Sequence, residues 1–200
     1  MGLKLEAVIR PEVVLTKHRG EPRLDGLLKV SKAIDWLNEI VGRSVLWLVL
    51  VAALISAFNA IYRKIFSDSS NSLLEIQWYL FGAIFLLCAA YTLKHEGHVR
   101  IDVIYGKLSR RTQTWIDIFG TVFFLLPICV LMMWLSWPIF IDAYVHNEIS
   151  SDAGGLIRWP IRLMIPIGFA LLVLQGISEL IRRIDRLRTG DYGVAAKGIH

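Results

Sequence analysis

The sequence predicts an all-α membrane protein with four transmembrane helices, both termini cytoplasmic, and amphipathic helices at the membrane interface. Three observations predict it. The 200-residue chain is 55% hydrophobic with a mean hydropathy of +0.53, too apolar for a soluble domain of this length. Four stretches are long and apolar enough to cross a hydrocarbon core of roughly 30 Å, which takes about 20 residues of helix. Lys and Arg cluster in alternate connecting segments, the pattern that sets membrane topology.

Residues 1–26 are polar, contain Pro11 and Pro22, and read as a loose cytoplasmic extension. No uninterrupted apolar core followed by small residues occurs in the first forty residues, so nothing there resembles a cleavable signal peptide. Insertion is therefore expected to use the first span. From 27 to 41, Leu27, Val30, Ile34, Leu37 and Val41 recur at steps of three and four, while Lys29, Lys32, Asp35 and Glu39 fall off that stripe. This spacing predicts an amphipathic helix lying on the inner membrane surface. The membrane domain is placed at 27–185, with spans at about 44–62, 73–93, 115–141 and 159–181, and residues 186–200 form a cytoplasmic tail. The third span holds Pro127 and Pro138 and exceeds a straight crossing, so a kink or tilt is expected.

The segment through Arg43 carries eight Lys and Arg residues, the segment 94–114 five, and the tail from Arg182 five. The two other connections hold only Arg63, Lys64 and Arg158. The N-terminus, the middle connection and the C-terminus are therefore expected inside. Trp47, Trp78, Trp115, Trp134, Trp137 and Trp159 fall mostly toward span ends, as an aromatic belt does. In the middle connection, Asp102 is placed to cap a short helix from Val103, with Lys107, Arg110 and Arg111 toward headgroups. The net charge of +5 lies beside the spans, where it sets topology or meets anionic lipid, so no nucleic-acid partner is expected.

Ionisable groups deep in a membrane are costly and usually functional. Here Glu75 and Arg162 sit near the outer ends of the second and fourth spans, and Asp117 and Glu179 near the inner ends of the third and fourth. None is at the midplane. Ser72 and Glu75 fit a capping box at the start of the second span, a reading compatible with a subunit contact. Glu75 and Arg162 share one outer layer and are candidates to pair. Asp117 and Glu179 have Lys94, Arg182 and Arg183 within reach, or form a solvated inner face. The five histidines, His18, His95, His98, His146 and His200, all lie outside the spans or at their edges, so the bundle core lacks the imidazoles of a haem protein. His95 and His98 read as ordinary contacts, and no metal or other cofactor is expected. Cys88 and Cys129 are each inside an apolar run and read as buried thiols. No nucleophile motif or phosphate-binding glycine loop is visible, so no enzyme activity is expected. There is no internal repeat of the kind many transporters contain.

The stretch Glu75-Ile76-Gln77-Trp78-Tyr79-Leu80-Phe81-Gly82, then an apolar run, then Gly97-His98-Val99-Arg100-Ile101-Asp102 resembles the signature of one family. Asn147-Glu148-Ile149-Ser150 and Ile165-Pro166-Ile167-Gly168-Phe169 are similar to it as well. The chain resembles, over about 35–183, the small membrane (Q-type) subunit of tripartite ATP-independent periplasmic (TRAP) transporters. The resemblance implies a bacterial inner-membrane complex with a large membrane subunit that moves the substrate. It also implies a periplasmic binding protein that delivers an organic acid, and uptake driven by a cation gradient. The small subunit is then a scaffold for the fixed part of the large one. Carried over, Glu75, Gln77 and Trp78 lie near the partner. His98, Arg100 and Asp102 organise the cytoplasmic connection, with Arg100 on lipid phosphate or a partner carboxylate, or else form only a turn and helix cap. The outer connection 142–158, with Glu148 and Ser150, contacts the binding protein or packs on the large subunit. The competing reading is a self-sufficient small oligomeric transporter or channel, which wants a membrane-embedded charge.

Overall fold

In hydrocarbon a backbone can satisfy its N–H and C=O groups only within its own helix or a closed barrel, and each predicted span is accordingly one long helix. The computed structural model describes residues 25–66, 71–95, 105, 108–152 and 154–190. Within them α1 runs Asp25–Phe66, α2 Asn71–Lys94, α3 Arg110–Val145 and α4 Trp159–Thr189. All four are long and apolar enough to cross a membrane. Successive helices are antiparallel: Asp35, early in α1, meets Lys94 at the end of α2, and Asp117, early in α3, meets Arg183 late in α4. We call the end with Asp25, Lys94 and Thr189 the terminal end, and the other the hairpin end.

The bundle is packed on α4, which touches α1, α2 and α3 and holds the largest set of buried residues. Between helices in lipid there is little hydrophobic drive, so small residues that permit close approach and polar groups that bond across the interface do the joining. The buried face of α1 shows this plainly. Ser31, Asn38, Val45, Ala52 and Asn59, each seven residues after the last, are buried, and Cys129, Ser136 and Ala143 repeat the interval in α3. Large apolar side chains such as Leu46, Trp47, Leu50, Leu54 and Phe58 point outward. Gly42 marks the closest α1–α2 approach, where an added Cβ would sit 2.2 Å from the Tyr91 ring.

The segment 27–41 is not a separate interfacial helix. It continues unbroken into the first span, because the Arg43–Glu39 pair at 2.8 Å and the Ser44 hydroxyl bond to the Ile40 carbonyl at 2.9 Å stitch the junction, and no proline interrupts it. Its apolar residues Leu27, Val30 and Leu37 do face outward, and its polar face packs on α4. Ser31 meets Ser178 while Asn38 meets Gln175, about 10 Å of rise on α1 against about 5 Å on α4. The start of α1 therefore leans obliquely across the end of α4.

In α3 the expected irregularity is a π-helical turn at Thr121–Leu125, where the Leu126 N–H donates to the Thr121 carbonyl. It immediately precedes Pro127, whose missing N–H and ring both disfavour the regular ladder. The turn also presents Leu125 and Leu126 to Gly176 of α4, where a Cβ would meet Leu125 at 2.9 Å. α4 continues past the predicted span to Thr189 and ends on Gly190 in the left-handed conformation (φ 67°), whose N–H donates to the Arg186 carbonyl.

Candidate functional site

Two polar clusters, one at each end of the bundle, hold most of the residues singled out in the sequence. At the hairpin end, residues 146–158 fold back on themselves. The Arg158 N–H donates to the Glu148 carbonyl at 2.9 Å, Ser150 N–H to Leu156 O at 3.0 Å, and Ile149 and Ile157 form a single antiparallel bridge. Asn147, at φ 46°, makes the reversal after α3. The Glu148 carboxylate then gathers two guanidinium groups: Arg162 in a two-pronged contact with both distances 2.6 Å, and Arg158 at 3.1 Å. The bond to Glu148 pushes the Arg158 guanidinium further above its ordinary range.

Glu75 is not bonded to Arg162. The expected Glu75–Arg162 pair is replaced by Arg162–Glu148, because the connection before α4 folds Glu148 onto the first turn of that helix. Nor do Ser72 and Glu75 form a capping box. α2 starts at Asn71, one residue before the proposed cap, and both side chains turn to the neighbouring connection. The Glu75 carboxylate accepts from the Leu156 N–H at 2.6 Å, and the Ser72 hydroxyl donates to the Gly154 carbonyl. Glu75 is 8% exposed, and its carboxylate is spent latching Leu156 to α2. Gln77 lies half-buried with an amide nitrogen that finds no partner among the described residues. Trp78 is 73% exposed and continues into a ridge with Phe81 and Phe85.

At the terminal end, four carboxylates (Asp35, Glu39, Asp117, Glu179) and four cations (Arg43, Lys94, Arg182, Arg183) link all four helices. Lys94 bridges α2 to α1, at 2.6 Å from Glu39 and 3.0 Å from the Asp35 carbonyl. The Asp35 carboxylate accepts from Ser178 at 2.8 Å and Gln175 at 3.1 Å and pairs with Arg182 at 3.0 Å. Arg182 also contacts Glu179, and Arg183 lies 3.7 Å from Glu179 and 3.5 Å from Asp117. Tyr105 closes the chain with a 2.8 Å bond to Asp117. His95 stacks on Tyr91 with ring centroids 4.2 Å apart and lies 3.6 Å from Glu39. Glu179 and Arg183 are buried, so the solvated-face reading of this end gives way to a paired interior network, where charges are tolerated because each has its counter-charge.

The sequence reading missed the centre of this network. Gln175 is 0% exposed; its carbonyl accepts from the Asn38 amide at 2.7 Å, and its own amide donates to Asp35. Ser31 and Ser178 share a hydroxyl bond of 2.7 Å beside it. The available signal was the seven-residue recurrence of Ser31 and Asn38 with Val45 and Ala52, obscured by the more conspicuous apolar stripe.

His98, Arg100 and Asp102 lie outside the described residues, as does Val103 at the head of the proposed short helix. Arg110 and Arg111 fall in the first turn of α3, which Ser109 caps by accepting from the Thr112 N–H.

A family model described as "Tripartite ATP-independent periplasmic transporters, DctQ component" matches residues 52–186. The chain belongs to this family. The match takes in α2, α3, α4 as far as residue 186 and the whole hairpin-end cluster. The oblique start of α1, with Asp35 and Asn38, precedes it. Among characterised proteins, the C4-dicarboxylate TRAP transporter small permease protein DctQ of Pseudomonas aeruginosa is 29% identical over 119 residues. That alignment covers 58% of this chain and 55% of the relative, so the chain spans about half of the relative's length. As a DctQ component with four spanning helices, the chain is a multi-pass membrane protein and a transporter component.

Proposed function

We propose that this DctQ-family chain is the scaffold of a tripartite secondary transporter in the bacterial inner membrane. It holds the fixed part of a large transport subunit while that subunit carries an organic acid inward, driven by a cation gradient, after a periplasmic binding protein delivers it. The observation that carries this reading is the paired network that ties all four helices together at the terminal end, matched at the hairpin end by Glu148 and Glu75. Charges that serve transport must change partners; these are arranged to hold helices in place. On this reading the chain catalyses no reaction and needs no cofactor.

The excess of Lys and Arg in the N-terminal segment, the middle connection and the C-terminal tail supports a cytoplasmic side for both termini. The hairpin, with Glu148 and Ser150, then faces the periplasm, toward the binding protein or the outer face of the large subunit. The ridge of Trp78, Phe81 and Phe85 is proposed as a contact for the large subunit, since rigid exposed aromatics make strong anchors at low entropic cost.

Proteoliposomes reconstituted with all three components, and with each omitted in turn, test the assignment. Cation-dependent uptake of a C4-dicarboxylate or another organic acid that needs all three supports it. Flux through the small chain alone supports the self-sufficient channel instead.

A further inference from the structure

A groove of about 650 Å³ opens between the start of α1 and the end of α4. Asp25, Lys29 and Lys32 line it from α1, and Arg182 and Asp185 from α4, with Asp35 between them. Asp35 and Arg182 are already engaged in the interhelical network. Asp25, Lys29 and Lys32 are not: none of them makes an ion pair or hydrogen bond among the described residues. Lys29 and Lys32 are three residues apart on one helix face, a like-charge spacing that costs stability unless an anion lies between them. Asp25, a turn before Lys29, adds to the same groove a carboxylate with no partner among the described residues.

The depth of the groove narrows the ligand. Arg182 is the first residue after the apolar crossing at 159–181, which is the level of the headgroups, where basic residues meet lipid phosphate. Leu27, Val30 and Ile184 are exposed beside it, an apolar border for acyl chains. A phosphate matches the charge of the two neighbouring lysines, and a primary ammonium matches that of Asp25. A choline headgroup carries no N–H to donate, and a glycerol headgroup brings no cation to Asp25.

We infer that this groove binds the headgroup of a phospholipid carrying a primary ammonium, with its phosphate on Lys29 and Lys32 and its ammonium toward Asp25. Such a site stands whatever solute the large subunit moves. The test uses the full chain in phosphatidylcholine nanodiscs doped with phosphatidylethanolamine or phosphatidylglycerol, reading retained lipid by native mass spectrometry. Phosphatidylethanolamine is expected to be retained in excess over both other lipids. Lys32→Gln alone lowers retention about fivefold and adding Lys29→Gln lowers it about fivefold again, while Asp25→Asn removes the preference over phosphatidylglycerol. Unchanged thermal midpoints in undoped nanodiscs confirm that the variants are folded. Equal retention of the three lipids, a preference for phosphatidylglycerol, or indifference to all the variants overturns the inference. So does displacement of the bound lipid by free phosphoethanolamine at matched concentration, which assigns the site to a soluble compound.

Discussion

Gln175→Ala probes the joint on which α1 and α4 meet. Gln175 is fully buried and accepts from Asn38 at 2.7 Å while donating to Asp35 at 3.1 Å. Truncation leaves the buried Asn38 amide without an acceptor, a penalty of about 1–3 kcal/mol. Asp35 keeps Ser178 and Arg182, so its loss is nearer the ~0.6 kcal/mol average for an interhelical bond in a membrane. The vacated side-chain volume adds about 1–2 kcal/mol. The expected total is about 3–5 kcal/mol, read as the unfolding free energy in mixed micelles titrated with a denaturing detergent. Removing both amides leaves less unsatisfied than removing one, so Asn38→Leu/Gln175→Leu is expected to be more stable than the sum of its single variants by about 1 kcal/mol. A Gln175→Ala loss below about 1 kcal/mol, or strict additivity in the Leu pair, refutes the argument that this bond set joins the helices.

Substitutions at three other positions, two of them with a control variant, report on the remaining contacts. Gly42→Ala forces a methyl into the Tyr91 ring and is expected to cost about 1–3 kcal/mol, whereas Gly26→Ala, with open space around it, is expected to be neutral or slightly stabilising in the same unfolding assay. Glu75→Ala removes the acceptor of the Leu156 N–H at a cost of about 1.5–3 kcal/mol. It is expected to speed amide exchange at Leu156, and Glu75→Gln, which keeps a carbonyl there, is expected to restore most of the protection. Glu148→Ala leaves Arg158 and Arg162 without their shared counter-charge. With Glu148 28% exposed, the expected loss is about 1–2 kcal/mol, between exposed and buried pairs, and it is expected to shrink when unfolding is repeated in about 1 M salt.

By itself the sequence determined the four apolar spans and the family. Runs of apolar residues can satisfy the backbone in lipid only as helices, and length and composition are properties of a string. The polar positions that matter were visible as well: Glu75, Glu148, Arg162, Asp117 and Glu179 all lie in one or other of the end clusters. What the tertiary structure decided was their partners. Glu75 and Arg162 share a layer but not a bond, because residues 146–158 fold back and bring Glu148 to one and the Leu156 amide to the other. No local pattern encodes that fold-back. Nor could periodicity tell which face of α1 is inside: the apolar stripe at 27–41 reads the same whether the opposite face meets water or another helix. Partners such as Gln175 and Ser178, more than 130 residues away in the chain, make it an interior face, since a buried polar group is placed by the donor or acceptor that waits for it, and that partner is chosen by packing.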